Sequence, residues 1–226
     1  MSSRPIFPSL YPILDARVLS QDAAQRCSQL LRLVRCVVDA GVTILQYRNK
    51  QDSDEQVLED ARWIRDAAGP DPTLILNDRV PLVERAGFDG AHIGQQDISP
   101  AEARRILGPK RVLGVSTHHP AQVRALAHAD VDYIAIGPVF ETASKADPDP
   151  VVGLEGVRTA RQLTHKPLVA IGGITSSSAL SVIEAGADAL AVIRAIFGTA
   201  RRPDGALPVE PEQAGKNAED FLRLFR

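Results

Sequence analysis

The residues equipped for chemistry lie at the ends of short apolar runs. In "ILQYRNK" (44–50), Gln46, Arg48 and Lys50 occupy alternate positions after Ile44. Alternate residues of a strand share a face, which puts Val42 and Ile44 on the same side as these three polar groups. Arg offers a planar fork of donors and Lys a compact ammonium, a combination suited to a phosphate or diphosphate. A strand leaving the core for solvent would carry the same triplet.

Other runs end in the same way. "TLILND" closes on Asn77-Asp78, and "GAHIGQQD" closes on Asp97. Two acids at neighbouring strand ends supply the hard oxygens that Mg²⁺ prefers, with positions left for water and substrate phosphate. Taken singly, Asn-Asp reads as a turn or cap, and Asp97 as a cap of "ISPAEA". "RVLGVS" ends in Ser116, followed by Thr117, His118 and His119. The Ser116 hydroxyl can donate to phosphate, and the two histidines read as residues of a helix N-terminus. No spaced acid completes a hydrolase triad, and no further His or Cys stands at zinc spacing.

After "VDYIAIG" comes "GPVFETASKADPDPVVGLEG", a stretch of more than fifteen residues without an evident helix. Loops of that length in compact domains are commonly functional lids, and Thr142, Ser144 and Lys145 give this one hydroxyls and a cation. "AIGGITSSSA" brings Gly172 and Gly173 to a helix start at Thr175 and Ser176. Backbone amides and the positive helix end suit an anion there.

The elements that must carry these groups repeat in order. Apolar runs at 10–15, 42–48, 73–78, 90–94, 111–116, 131–137, 167–173 and 187–193 alternate with segments of helical periodicity. The helical segments are expected at 23–41, 53–68, 80–86, 100–107 and 120–128, after 153, in "SSSALSVIEAG" and in a short "AIFG". Strands alternating with helices imply parallel pairing. Eight units in this length match a closed (β/α)8 barrel, the TIM barrel, whose functional groups sit at the C-terminal strand ends. "LDARVLS" lacks the glycines of a dinucleotide fingerprint, which disfavours an open doubly wound sheet. "DAGVTIL", "RAGFDGAHI" and "EAGADALAV" share a phrase in which Gly ends a helix and a strand follows.

No linker or composition shift divides the 226 residues, so residues 1–226 are read as one domain with a C-terminal helical tail at about 199–226. The tail's amphipathic last helix is expected to cover the outside or bottom of the barrel. A net charge of −2 and scattered basic residues speak against nucleic acid. No apolar run reaches the ~18 residues that span a bilayer, and the first residues lack a signal pattern, so a cytoplasmic location is expected. Cys27 and Cys36, nine residues apart on one helix, are separated by ~13 Å. A disulfide needs about 7 Å or less, so both are expected to be reduced.

From Tyr11 to Gly198 the chain resembles the thiamine phosphate synthase family, through "LQYRNK", "LILNDR", "GAHIGQQD", "LGVSTH", "DYIAIGPVFETASK", "VGLEG" and "VAIGGIT". The resemblance implies joining a hydroxymethylpyrimidine diphosphate to a thiazole phosphate, with diphosphate leaving first and a pyrimidine cation captured by the thiazole nitrogen. It implies that Gln46, Arg48, Lys50 and Asn77 hold the diphosphate substrate, that Asp78 and Asp97 hold Mg²⁺, and that Ser116 and Lys145 contact the departing diphosphate. Thr142, Ser144, Gly173 and the backbone around Ile193 match thiazole-phosphate positions. "TASK" stands where the family often has Thr-Pro-Thr-Lys, and Arg194 where it commonly has Ser. A thiazole tautomerase of the same superfamily, which would use His118, and a non-catalytic phosphometabolite-binding barrel are the alternatives. The partners implied are small phosphorylated molecules, with a homodimer left open.

Overall fold

The computed structural model describes residues 7–142, 149–199 and 209–225. Eight parallel strands close into a barrel in chain order: β1 (Leu10–Asp15), β2 (Ile44–Arg48), β3 (Thr73–Asn77), β4 (Gly90–Ile93), β5 (Val112–Thr117), β6 (Tyr133–Ile136), β7 (Leu168–Ile171) and β8 (Ala189–Val192). The ring closes where Leu10, Tyr11 and Pro12 pair with Leu190, Ala191 and Val192. Around it run α1 (Ala23–Asp39), α2 (Asp54–Ala68), α3 (Val83–Ala86), α4 (Pro100–Leu107), α5 (Pro120–Leu126), α6 (Gly153–Leu163), α7 (Ser176–Glu184), α8 (Arg194–Phe197) and α9 (Pro211–Arg223). The closed α/β barrel expected from the alternating pattern is the fold.

Strand alternation separates two packed layers. Tyr11, Ile13, Ile44, Ile75, Tyr133, Ala135, Val169, Ala189 and Ala191 fill the interior. The opposite faces, with Leu14, Leu45, Tyr47, Leu74, Leu76 and Leu190 among them, pack against the helices. Val42, expected beside Ile44, belongs to the outer layer instead. It precedes β2, in a turn where its amide bonds the Val37 carbonyl at 3.2 Å, so strand alternation does not extend back to it.

Two of the repeated phrases, "RAGFDGAHI" and "EAGADALAV", and the run "VDYIAIG" share a physical device at the N-terminal end of the barrel. Asp89, Asp132 and Asp188 each stand at the start of a strand and accept the amide of the preceding strand's first residues, Leu74, Leu113 and Leu168, at 2.7 to 2.8 Å. Each also receives a guanidinium from the helix that leads into that preceding strand, Arg65 on α2, Arg104 on α4 or Arg161 on α6, at 2.6 to 2.7 Å. Three units are thus fastened by one bracket of charge-assisted bonds.

α9 packs against α1, on the outside of the barrel. Gly215 permits the close crossing, since a Cβ there would lie 2.8 Å from the Cys36 carbonyl oxygen. Asn217 ties α9 to the α8 carbonyl of Ile196 at 3.3 Å. Cys27 and Cys36 are both free. Among the described residues, no helix is long and apolar enough to cross a membrane.

Candidate active site

The C-terminal strand ends surround one cleft of about 1060 Å³. Gln46, Arg48, Lys50, Asn77, Asp78, Asp97, Ser116, Thr142, Gly173, Ile193 and Arg194 all border it. Ser144 and Lys145, the two remaining sequence-selected residues, lie outside the described residues.

β2 leaves the core gradually. Gln46 is buried, Arg48 is half-buried and Lys50 is exposed, two residues beyond the last paired one. Arg48 does not face the cleft alone: its Nη1 ion-pairs with Asp15 Oδ2, and Arg17 donates to the same carboxylate through Nε and Nη2 at 3.0 Å each. Burial would raise the Asp15 carboxyl, but the Arg17 bonds and the Arg48 charge outweigh it and hold it below the ordinary value. Asp15 is missing from the residues singled out in the sequence, although "LYPILD" carries it at the end of the first strand. Applying the strand-end rule to β1 would have found it.

Asp78 and Asp97 meet across the ends of β3 and β4. Lys50 Nζ stands 2.9 Å from Asp78 Oδ2. Burial raises the Asp97 carboxyl; the Gly94 amide, at 2.7 Å, opposes this, and the facing Asp78 carboxyl adds to it. Neither acid is the helix cap that each resembles in isolation. Ser99 caps α4, accepting from the Glu102 amide at 3.2 Å, and Arg79 occupies the cap position after β3 without a capping side-chain bond. Asp78 instead has φ +62°, the only positive φ given to a non-glycine among the described residues. Such backbone is costly and collects at functional sites. Two facing carboxylates fit a hard divalent cation that takes its remaining ligands from water and phosphate. Among the described residues no three acids, His or Cys converge into an all-protein cage.

Asn77, beside this pair, is buried, and its Nδ2 has no hydrogen-bond partner. A buried unsatisfied amide is worth about 1–3 kcal/mol of lost stability, which an acceptor in the cleft would return. Ser116 Oγ bonds His92 Nε2 at 2.8 Å, so it belongs to a side-chain network rather than to a helix cap. His119 does hold the N-terminal position of α5, as expected. His118 departs from that expectation: it borders the cleft, with Nδ1 2.6 Å from the Gly137 carbonyl and Nε2 3.4 Å from Asp149 Oδ2.

Across the cleft, Gly172 and Gly173 have φ of +104° and +66°. A Cβ on Gly172 would lie 2.5 Å from Pro138 Cβ, and one on Gly173 would lie 2.5 Å from the Glu141 carbonyl oxygen. The pair is therefore demanded first by backbone geometry and by the close approach of the β6–α6 connection, whatever anion it also admits. α7 begins on a capping box, in which Ser178 Oγ accepts the Thr175 amide at 3.0 Å. Arg194 opens α8 at the cleft wall. Among the described residues it has no carboxylate partner.

Polar residues missed in the sequence besides Asp15 include Tyr11, His92 and Gln95, which border the cleft, and Tyr133, which is buried in the barrel interior. Tyr11 and Tyr133 sit inside apolar runs and read as core aromatics, and nothing in spacing alone distinguishes them. Gln95 Nε2 donates to the Ser116 carbonyl at 2.6 Å.

Known proteins bear on this geometry directly. The family model described as thiamine monophosphate synthase matches residues 10–196. A thiamine-phosphate synthase of Koribacter versatilis (strain Ellin345) is 50% identical over 225 residues, covering 100% of this chain and 99% of that protein. One from Agrobacterium fabrum (strain C58 / ATCC 33970) is 45% identical over 166 residues, covering 71% and 76%. Among solved structures, thiamine phosphate pyrophosphorylase from Pyrococcus furiosus superposes with a TM-score of 0.74 at 27% identity, covering 95% of this chain and 96% of that one. A barrel matched along its whole length at this identity leaves one assignment: the chain belongs to the thiamine monophosphate synthase family.

Proposed function

We propose that the protein couples 4-amino-5-hydroxymethyl-2-methylpyrimidine diphosphate with thiazole phosphate, forming thiamine phosphate and releasing diphosphate. The observation that carries this reading is a single cleft with two unlike rims. One rim brings cations and facing carboxylates together at β2 to β4; the other, at β6 to β8, offers Thr142, Gly173 and Arg194. Two phosphorylated substrates meeting between them would use both.

On the first rim, Arg48 and Lys50 bind the diphosphate, Asn77 Nδ2 donates to one of its oxygens, and Ser116 Oγ donates to it as it departs. Gln46 borders the ring-binding part of the same substrate. Asp78 and Asp97 would hold Mg²⁺, which when bound would neutralise charge on the leaving diphosphate. On the second rim, Thr142, Ser144, Gly173, the backbone around Ile193 and Arg194 receive the thiazole phosphate, and Lys145 is assigned to the departing diphosphate. The wall between is apolar, with Ile13, Val169, Ile171 and Ala191, which suits a cationic pyrimidine that must be shielded from water. Positioning and leaving-group stabilisation then supply the rate enhancement, and no strong base is required. We assign the chain to the cytoplasm as one domain, with its C-terminal helix docked on the barrel.

His118 favours a second reading, isomerisation of a thiazole phosphate, because its imidazole faces the cleft beside Asp149. That reading leaves Arg48, Lys50, Asp78 and Asp97 without a task. Purified protein given the thiazole precursor alone, and then both substrates with Mg²⁺, separates the two. Coupling only in the second mixture supports the synthase, and isomerisation without coupling overturns it.

A further inference from the structure

A line of hydrogen bonds crosses the floor of the cleft from β2 to β5. Gln46 Nε2 donates to Tyr11 Oη at 3.0 Å, Tyr11 Oη lies 2.8 Å from Tyr133 Oη, Tyr133 Oη lies 2.9 Å from His92 Nδ1, and His92 Nε2 lies 2.8 Å from Ser116 Oγ. Room for it is built into the strands. A Cβ on Gly114 would lie 1.9 Å from Tyr133 Cζ, so only glycine there lets the ring lie across the barrel. The His92 ring stacks on Tyr133 at a 5.5 Å centroid separation and 22°.

The direction of the line follows from proton counting. Burial pushes both phenols well above their ordinary value, so each keeps the one proton it has to give. An amide nitrogen only donates, and a neutral imidazole has one donor and one acceptor. Run the other way, the line would leave the proton of buried Tyr11 without an acceptor, whereas Tyr11 accepting from Gln46 and donating to Tyr133 uses every buried donor. Tyr133 in turn gives its proton to His92 Nδ1. His92 must then carry its hydrogen on Nε2 and donate to Ser116 Oγ, which leaves the serine's own hydrogen pointing into the cleft that Ser116 borders.

We infer that Tyr11, Tyr133 and His92 are positioning residues that fix Ser116 Oγ as a hydrogen-bond donor to the departing diphosphate. The inference rests on the contact between Ser116 and the diphosphate proposed above. It explains why polar aromatic side chains occupy an interior otherwise filled by aliphatic ones: broken at any link, the line frees the serine to turn its hydrogen toward His92 and its lone pairs toward the phosphate.

A double-mutant cycle on the full chain tests it. Ser116→Ala should lower kcat by about 10- to 100-fold, on the low side for a preorganised donor to a developing anion because several cations share the task. Tyr133→Phe should lower kcat several-fold with KM for both substrates within about twofold, and the double variant should be no slower than Ser116→Ala alone. His92→Gln, which keeps a nitrogen donor near Nε2, should retain more activity than His92→Leu. Losses that multiply in the double variant, or a Tyr133→Phe enzyme with unchanged kcat, overturn the inference alone. Unchanged kcat in Ser116→Ala removes the serine–diphosphate contact as well.

Discussion

Asp15 is the residue whose replacement has the clearest consequences. It is 2% exposed, yet it is held ionised by the Arg17 fork and by Arg48. Asp15→Asn keeps the shape and removes the charge. Deleting one partner of a fully buried ion pair costs about 3–5 kcal/mol. The Arg17 and Arg48 side chains retain 35% and 16% exposure, so water recovers part of the loss, and about 2 kcal/mol is expected. In a protein of this size that lowers Tm by about 4–8 °C. The pH dependence has a definite sign. The folded carboxyl lies below its ordinary 3.8, so its contribution is fully present above that value and is lost as pH falls through the lower, folded one. Urea unfolding of both proteins at neutral and successively more acidic pH should therefore show a constant stability gap that narrows only below about pH 4. A gap absent at neutral pH, or one that persists undiminished in acid, would refute the reasoning. Because Arg48 loses its anchor, KM for the pyrimidine diphosphate should also rise, by about tenfold for each 1.4 kcal/mol of lost clamping.

Further substitutions separate the parts of the site. Asp78→Asn should abolish turnover while Tm stays within a few degrees, since Asn tolerates the left-handed backbone that Asp78 adopts; an active variant would remove Asp78 from the metal assignment. Arg48→Ala should raise KM for the pyrimidine diphosphate about 10- to 100-fold, the loss of a charge-assisted contact, with little change for the thiazole phosphate; equal losses in steady-state kinetics would argue against two separate anion sites. Asp132→Ala removes bonds to Arg104 and the Leu113 amide at the far end of the barrel. It should cost about 1–2 kcal/mol in urea unfolding and leave kcat unchanged; a fall in kcat at full occupancy would contradict that separation.

Most of the architecture is legible because each unit carries two independent signals, an apolar strand and a helix of matching period. The rule that chemistry sits at C-terminal strand ends then places Gln46, Asn77, Asp78, Asp97 and Ser116 around one cleft without any coordinates. The rule fails where its signal is masked. Asp15 ends a strand, but the chain turns at once through residues 16–18, so Arg17 folds back onto Asp15 instead of extending a polar strand face. Tyr11 and Tyr133 are chemically distinctive only through partners 122 residues apart in the chain, a distance no local pattern spans. Val42 shows the opposite error, in which alternation was extended past the first paired residue. Gly172 and Gly173 carry two meanings, and only the packed β6–α6 connection separates the steric one from the anionic one.

The central claim is that one cleft joins two phosphorylated molecules with loss of diphosphate. Phosphorus NMR of purified protein mixed with both substrates and Mg²⁺ follows it directly. Thiamine phosphate and diphosphate should appear together in equal amounts, and thiamine phosphate should be absent when either substrate or the metal is withheld. Diphosphate released without thiamine phosphate, or both substrates left intact, would contradict it.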